Sequence, residues 1–140
     1  MASVAGTWRL GSWIGIGEDG TVSRPMGYSP TGILVLTDDG WFSAQGGTGD
    51  RRRGTTESQA DARDAELAAW ARGYVAYAGR YEVDGDRMYF TGEVSLFPNL
   101  IGVRQTRTWK LEGDTLILRP PGAELHWHRA STEVVDSMGE

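Results

Sequence analysis

The chain of 140 residues contains no cysteine, which excludes disulfide bonds and thiolate chemistry. No apolar run approaches the about 20 residues that a transmembrane helix requires. The first ten residues, MASVAGTWRL, lack the charged and apolar regions of a signal peptide. We therefore predict a cytoplasmic protein with no membrane partner.

Basic residues are also in short supply. Lys and Arg number 14 against 19 Asp and Glu, giving a net charge of −5, whereas a nucleic-acid-binding protein needs a basic face. The one basic run, Arg51-Arg52-Arg53, lies between Gly-rich and Thr-rich segments, and we interpret it as a solvated loop. No nucleic-acid partner is expected.

Several catalytic motifs are missing: G-x-S-x-G, the phosphate-binding loop, the dinucleotide fingerprint and H-E-x-x-H. The two histidines, His126 and His128, share one strand face opposite Trp127. The simplest interpretation points the imidazoles outward and the indole inward, so we expect no metal and no cofactor. Any chemistry would depend on positioning, desolvation and one carboxylic acid or phenol.

Glycine and aromatic residues are abundant, with 20 Gly, 6 Trp and 5 Tyr. Glycine at short intervals among aromatic residues is typical of turn-rich β structure, where it supplies positive φ at hairpins. The length is near the usual size of one domain, so residues 1–140 are predicted to form a single unit. The polar tail, about 131–140, is expected to fray.

Alternating hydrophobicity predicts about eight or nine strands linked by short hairpins. One helix is predicted over about 58–77, with Ser58 as its N-cap and with Trp70, Tyr74 and Tyr77 on its apolar stripe. Antiparallel strands in sequence order tend to close into a barrel, which removes their edges. The strands are expected at 6–16, 31–37, 41–45, 79–84, 87–97, 102–111, 115–120 and 123–130.

Five segments occur in an order and spacing that resemble the bacterial lipocalin-like domain family: GTWRLGSW (6–13), GILVLTDDGWFSA (32–44), YAGRYEVDGD (77–86), EVSLFPN (93–99) and LEGDTLIL (111–118). The resemblance implies an all-β, antiparallel up-and-down lipocalin-like barrel of about eight strands with one inserted α-helix and a ligand cavity. It covers Gly6 to about Arg129. The flanking histidines of Trp127 depart from the family's usual pattern.

The strand over 87–97 has a polar face with Tyr89, Glu93 and Ser95 and an apolar face with Met88 and Phe90. Alternation alone leaves open which face points inward. The resemblance of the segment EVS favours the polar face, and a buried Glu93 would then need a partner. Arg107 on the next strand is the natural choice, which makes Glu93, Tyr89 and Arg107 the catalytic candidates. The alternative is an outward salt bridge with Met88, Phe90 and Val94 inside.

Aromatic residues are too numerous for an ordinary core, and aromatic walls with a few polar groups are typical of small-molecule sites. Trp8, on the first strand, is expected to plug the closed end of the barrel. Tyr74 and Tyr77 are expected either to gate the mouth or to cover the outside of the sheet. The predicted ligand-binding residues are Tyr28, Trp41, Ser43, Gln45, Tyr74, Tyr77, Tyr89, Glu93, Ser95, Gln105, Arg107, Trp109 and Trp127.

Two functions follow from the resemblance and these residues. The first is binding of a small, largely apolar or polyketide-like molecule by a monomer or homodimer. The alternative is a cofactor-independent cyclase or isomerase of polyketide biosynthesis, with Glu93 or a tyrosine as the acid–base group. The sequence leaves open whether the cavity is catalytic, and an interaction module has the least support.

Overall fold

The computed structural model describes residues 3–130, so the predicted frayed tail lies outside the described residues. The elements are mostly strands, with one α-helix and two short 3₁₀ turns at Gln59–Asp61 and Pro98–Leu100. In chain order the elements are β1 (Gly6–Ile16), β2 (Val22–Ser23), β3 (Thr31–Leu36), β4 (Trp41–Gly47), α1 (Asp64–Arg72), β5 (Tyr74–Asp84), β6 (Arg87–Ser95), β7 (Arg104–Glu112), β8 (Thr115–Arg119) and β9 (Ala123–Arg129).

The strands form a closed antiparallel barrel. From β3 onward each strand pairs with the next, β1 pairs with β3, and β9 returns to pair with β1. The two-residue β2 pairs only with the last two residues of β1, so the other eight strands form the barrel wall. The predicted up-and-down barrel of about eight strands with one inserted helix is confirmed.

One end of the barrel is sealed by Trp8. The residue is 0% exposed, its indole Nε1 donates to the carbonyl of Val4 at 3.0 Å, and the Arg129 guanidinium lies 4.2 Å from the centre of its ring system. The hairpin turns at this end use Gly40, Gly85 and Gly113, all with positive φ. The prediction that Trp8 plugs the closed end is confirmed.

The helix is shorter than predicted. Ser58 does act as a cap, but of the 3₁₀ turn, where its hydroxyl accepts from the Ala60 amide at 3.3 Å. The regular helix ends at Arg72, Gly73 forms its C-cap, and Tyr74 begins β5. The extension of the helix to residue 77 is wrong, because Tyr74 to Ala78 pair with β4 and this pairing outweighs the helical spacing of the aromatic residues.

A bulge in β6 decides which side chains enter the barrel. Ala78 pairs with Val94, but the next β5 residue, Gly79, pairs with Gly92, so Glu93 is an extra residue in β6. Before the bulge the apolar face points inward, with Met88 and Phe90 0% and 3% exposed. The prediction that the polar face of this strand points into the barrel is wrong for Tyr89 and Glu93, whereas Ser95, which follows the bulge, faces inward across from Tyr77. Its stated alternative, with Met88, Phe90 and Val94 inside, is correct for Met88 and Phe90 but wrong for Val94, which follows the bulge and is 63% exposed.

Within residues 3–130, none of the helices has the length and apolar character needed to cross a bilayer.

Candidate functional site

A partly enclosed cavity of about 190 Å³ lies inside the barrel. It is closer to the mouth, the end that carries α1 and the connection from β6 to β7, because Leu100 and Pro120 from the connections at that end contribute to its wall. The fifteen residues of its wall are mostly apolar: Leu10, Trp13, Leu34, Ala44, Gln45, Gly46, Val75, Tyr77, Phe90, Leu100, Arg107, Leu118, Pro120, Leu125 and Trp127.

Aromatic side chains stiffen one wall of this cavity. Phe42 packs edge-on against Tyr77 and against Phe90, with ring centroids 5.1 and 4.9 Å apart. This is the preferred geometry for aromatic pairs. Tyr77 and Phe90 are therefore held in place by the core beneath them and present fixed surfaces to the cavity.

Three side chains place polar groups in the cavity wall that can form hydrogen bonds with a ligand. Tyr77 contributes a phenol and Arg107 a guanidinium. Trp127 contributes an indole N–H that is buried and has no hydrogen-bond partner among the described residues. A buried donor without an acceptor costs free energy, so this N–H favours a ligand or water oxygen beside it.

The structure thus brings three of the sequence-predicted residues, Tyr77, Arg107 and Trp127, into one cavity wall. Gln45 also borders the cavity, but its side chain is exposed, and its Oε1 accepts a hydrogen bond from the Tyr74 hydroxyl at 3.0 Å. Gln45 therefore borders the cavity as predicted, but its side chain points to the outer surface.

Other predicted ligand contacts lie outside the barrel. Ser43 and Trp41 alternate with the inward Phe42 and Ala44, so their side chains face away from the cavity. Four predicted aromatic contacts are instead covered by arginines, with the guanidinium carbon 3.7 to 4.5 Å from the ring centre: Arg24 on Tyr28, Arg51 on Tyr74, Arg80 on Trp41 and Arg104 on Tyr89. The expectation that these side chains line the cavity is wrong.

Glu93 also lies on the outer surface, where its side chain is 56% exposed and its Oε2 is 4.0 Å from Arg80 Nε. The predicted pair with Arg107 does not form, because the pairing of β6 with β7 ends at Thr91 and Arg104, before Glu93 is reached. Neither Glu93 nor Tyr89 reaches the cavity, so neither is placed to act on a molecule inside it.

Three further predicted residues face inward but do not line the cavity. Trp109 lies toward the closed end, where its indole donates to the carbonyl of Gly85 at 2.8 Å. Gln105 lies across from Phe90. Ser95 lies beyond the bulge, across from Tyr77, and its hydroxyl is buried without a partner among the described residues.

Sequence reasoning missed the aliphatic part of the wall. Leu10, Leu118 and Leu125 occupy inward positions of strands that were correctly predicted, so their alternation with polar neighbours was a usable signal. Leu100 and Pro120 come from connections, where no periodicity indicates direction.

The connection from β6 to β7 gives the mouth an apolar rim. Five side chains of this connection and of the end of β6 are 45–63% exposed, and no charged residue occurs between positions 94 and 103. These residues, which we call the rim, are Val94, Leu96, Phe97, Ile101 and Val103. Exposed apolar patches on proteins commonly mark interaction surfaces or ligand-binding grooves.

His126 of β9 is engaged on the outer wall. Glu124 accepts from Arg119 Nε at 2.8 Å, and its other oxygen lies 2.8 Å from His126 Nε2. The Arg119 hydrogen bond, and after it the His126 contact, lower the pKa of the Glu124 carboxyl. In residues 3–130 no group of three or more His, Cys, Asp or Glu is arranged to hold a metal ion.

The closed eight-stranded barrel with an apolar interior cavity defines a lipocalin-like fold. The lipocalin-like domain family matches residues 5–134, and the chain belongs to that family. A comparison of the chain with curated proteins finds no match.

Two solved structures share the fold. A lipocalin-like protein from Bacteroides uniformis is 16% identical, with a TM-score of 0.53, and the match covers 91% of this chain and 98% of the other. An uncharacterized protein from Bacteroides eggerthii is 14% identical, with a TM-score of 0.51 and coverage of 91% and 100%. At this identity the likeness extends to the fold alone.

Proposed function

We propose that the barrel binds a small, largely apolar molecule, for which a polyketide-like compound is one suitable class. The observation that carries the proposal is the cavity of about 190 Å³ with aromatic and aliphatic walls. Protein interiors are normally close-packed, with few voids larger than a water molecule. Apolar, concave spaces with a few polar groups are the usual form of small-molecule sites.

The size of the cavity limits what it holds. It is smaller than the about 300 Å³ at the lower end of sites for drug-sized ligands. A larger ligand would therefore insert one part and leave the remainder at the mouth, where the apolar rim provides a surface for it. This arrangement favours an elongated molecule over a compact polycyclic one.

No observation favours the alternative of a cyclase or isomerase. No carboxylate occurs in the cavity wall of residues 3–130, and Glu93, the acid–base group expected from the sequence, is outside the barrel. A cytoplasmic location and a monomeric or homodimeric state stay predictions of the sequence.

The binding proposal is tested by filling the cavity. Ala44 lies in the wall, and its neighbour Ser43 faces the outer surface. Ala44→Leu is expected to weaken binding of the neutral dye Nile red, followed by its fluorescence, whereas Ser43→Leu is the matched control and should leave binding unchanged. If Nile red does not bind, or if both variants bind it as the wild type does, the cavity is not the binding site.

A further inference from the structure

Arg107 is the one charged side chain in the cavity wall of the described residues. It lies on the inward row of β7 and pairs in register with Met88 of β6, which is fully buried. The barrel wall therefore holds a guanidinium beside an apolar space.

The carboxylates of the described chain do not neutralise Arg107. Ion pairs and aromatic stacking engage other basic residues, and Arg107 takes part in neither. Its one hydrogen bond runs from Nη1 to the carbonyl of Thr106, its own neighbour, at 3.1 Å. A guanidinium has five N–H donors, so most of its donors stay available to a ligand.

A charge next to apolar surface is costly unless an opposite charge accompanies it. The planar guanidinium fits a carboxylate through two parallel hydrogen bonds. We propose that the ligand is an anionic amphiphile whose carboxylate pairs with Arg107 and whose apolar part fills the cavity. This proposal rests on the proposed function, since the ion pair requires a ligand inside the barrel.

Two polar groups of the wall lie at different places along the cavity. Arg107 pairs with Met88 of β6 and lies one residue beyond the Thr108–Arg119 pair of β7 and β8. Trp127 pairs with Leu116 on the other edge of β8. The apolar chain of a ligand paired with Arg107 would extend along the cavity toward Trp127. An oxygen farther along that chain would find the unpartnered indole N–H of Trp127.

The test compares octanoic acid with 1-octanol, which has the same chain length but no charge, by displacement of Nile red at pH 7. The wild type should bind the acid more tightly than the alcohol. Arg107→Met should weaken acid binding about tenfold or more, because a charge-assisted hydrogen bond contributes about 1.5–3 kcal/mol. Alcohol binding should change by less than about threefold.

Two matched variants separate charge from position. Arg107→Lys keeps the charge and should restore part of the preference for the acid. Arg104→Met removes a guanidinium from the outer face of the same strand, where it pairs with Glu82 at 3.5 Å, and should leave the preference intact. Thermal unfolding followed by circular dichroism checks folding, and Arg107→Gln replaces Arg107→Met if the latter does not fold.

Three outcomes overturn the proposal. Equal loss of acid and alcohol binding in Arg107→Met would mean that Arg107 only shapes the wall. Binding of the alcohol by the wild type without preference for the acid would mean that the ligand is not anionic. In both cases the binding function stands. If neither octanoic acid, octanol nor Nile red binds, the proposed function fails and the ion pair with it.

Discussion

Gly79 and Gly92 lie opposite each other where β5 meets β6, at the point where the register shifts by one residue. A Cβ atom added at Gly79 would collide with the backbone carbonyl of Thr91 and would come 3.0 Å from the Gly92 Cα. The two strands therefore approach more closely here than side chains allow. This contact fixes the bulge at Glu93, after which Val94 faces outward and Ser95 faces inward.

Gly79→Ala is expected to destabilise the barrel by about 1–3 kcal/mol, because the backbone must shift to admit the methyl group. The neighbouring Ala78→Ser leaves this contact alone and should change stability by less than about 0.5 kcal/mol. Urea unfolding followed by tryptophan fluorescence measures both. A Gly79→Ala variant as stable as the wild type would show that the bulge does not depend on this close approach.

Tyr81→Phe should lower the free energy of unfolding by about 1 kcal/mol. The Tyr81 hydroxyl donates a hydrogen bond to the Thr37 carbonyl at 2.6 Å, and the substitution removes this donor. Burial, followed by the charges of Asp38 and Asp39, raises the pKa of Tyr81 above its usual 10.0. The folded state therefore keeps the proton when the unfolded state has lost it, and the wild type should lose stability as the pH rises above 10.

The measurement for Tyr81 is urea unfolding from pH 8 to pH 11. The loss at alkaline pH should be smaller in Tyr81→Phe than in the wild type, because the variant lacks this titrating group. Parallel pH profiles for the two proteins would contradict the assignment.

Glu124→Gln is expected to lower stability by about 1 kcal/mol at pH 7, since it removes the charge that binds Arg119 and His126. The pKa of Glu124 is lowered in the folded state, so its contribution is present above the ordinary value of 4.5 and is lost as the pH falls through the folded pKa. The difference from wild type should accordingly shrink in acid. Glu112→Gln, at a more exposed carboxylate paired with Lys110, serves as the comparison and should show a smaller change.

Glu93→Gln should leave the binding of Nile red and of octanoic acid unchanged, because this carboxylate is on the outer surface beside Arg80. The same displacement titration used for Arg107 measures it. A clear loss of affinity would mean that residue 93 contacts the ligand and that its side chain does not lie on the outer surface in solution.

Much of the fold could be predicted from the sequence because local signals agreed with the final structure. The turns around Gly40, Gly85 and Gly113 each need positive φ, and glycine accepts it without strain. Alternation over the first half of β1 and along β7 groups Trp8 with Leu10 and Arg107 with Trp109, as in the structure, whereas a register shift after Leu10 also brings Trp13 to the cavity. Where each residue follows the pleat, the face of a side chain follows from counting.

For the rest of the site, counting along the strand did not predict which side chains point inward. The extra residue at Glu93 reverses the alternation of β6, and no local pattern announces a bulge that is set by contact with another strand. Tyr74 and Tyr77 fit both a helical stripe and a strand, and pairing with β4 decided between them. The sequence does not distinguish an aromatic residue that lines the cavity from one that lies on the outer surface beneath an arginine. In most cases the arginine that covers the ring is distant in the sequence, so no local pattern predicts the contact.

The pairing of β1 with β9 has a consequence for how this molecule forms. Arg129 donates hydrogen bonds to the carbonyls of Ala5 and Ser3, across separations of 124 and 126 residues. Closing so long a loop costs chain entropy before any of those bonds is made. We therefore expect this chain to fold more slowly than a helical protein of the same length, with the hollow interior completed when the first and last strands meet.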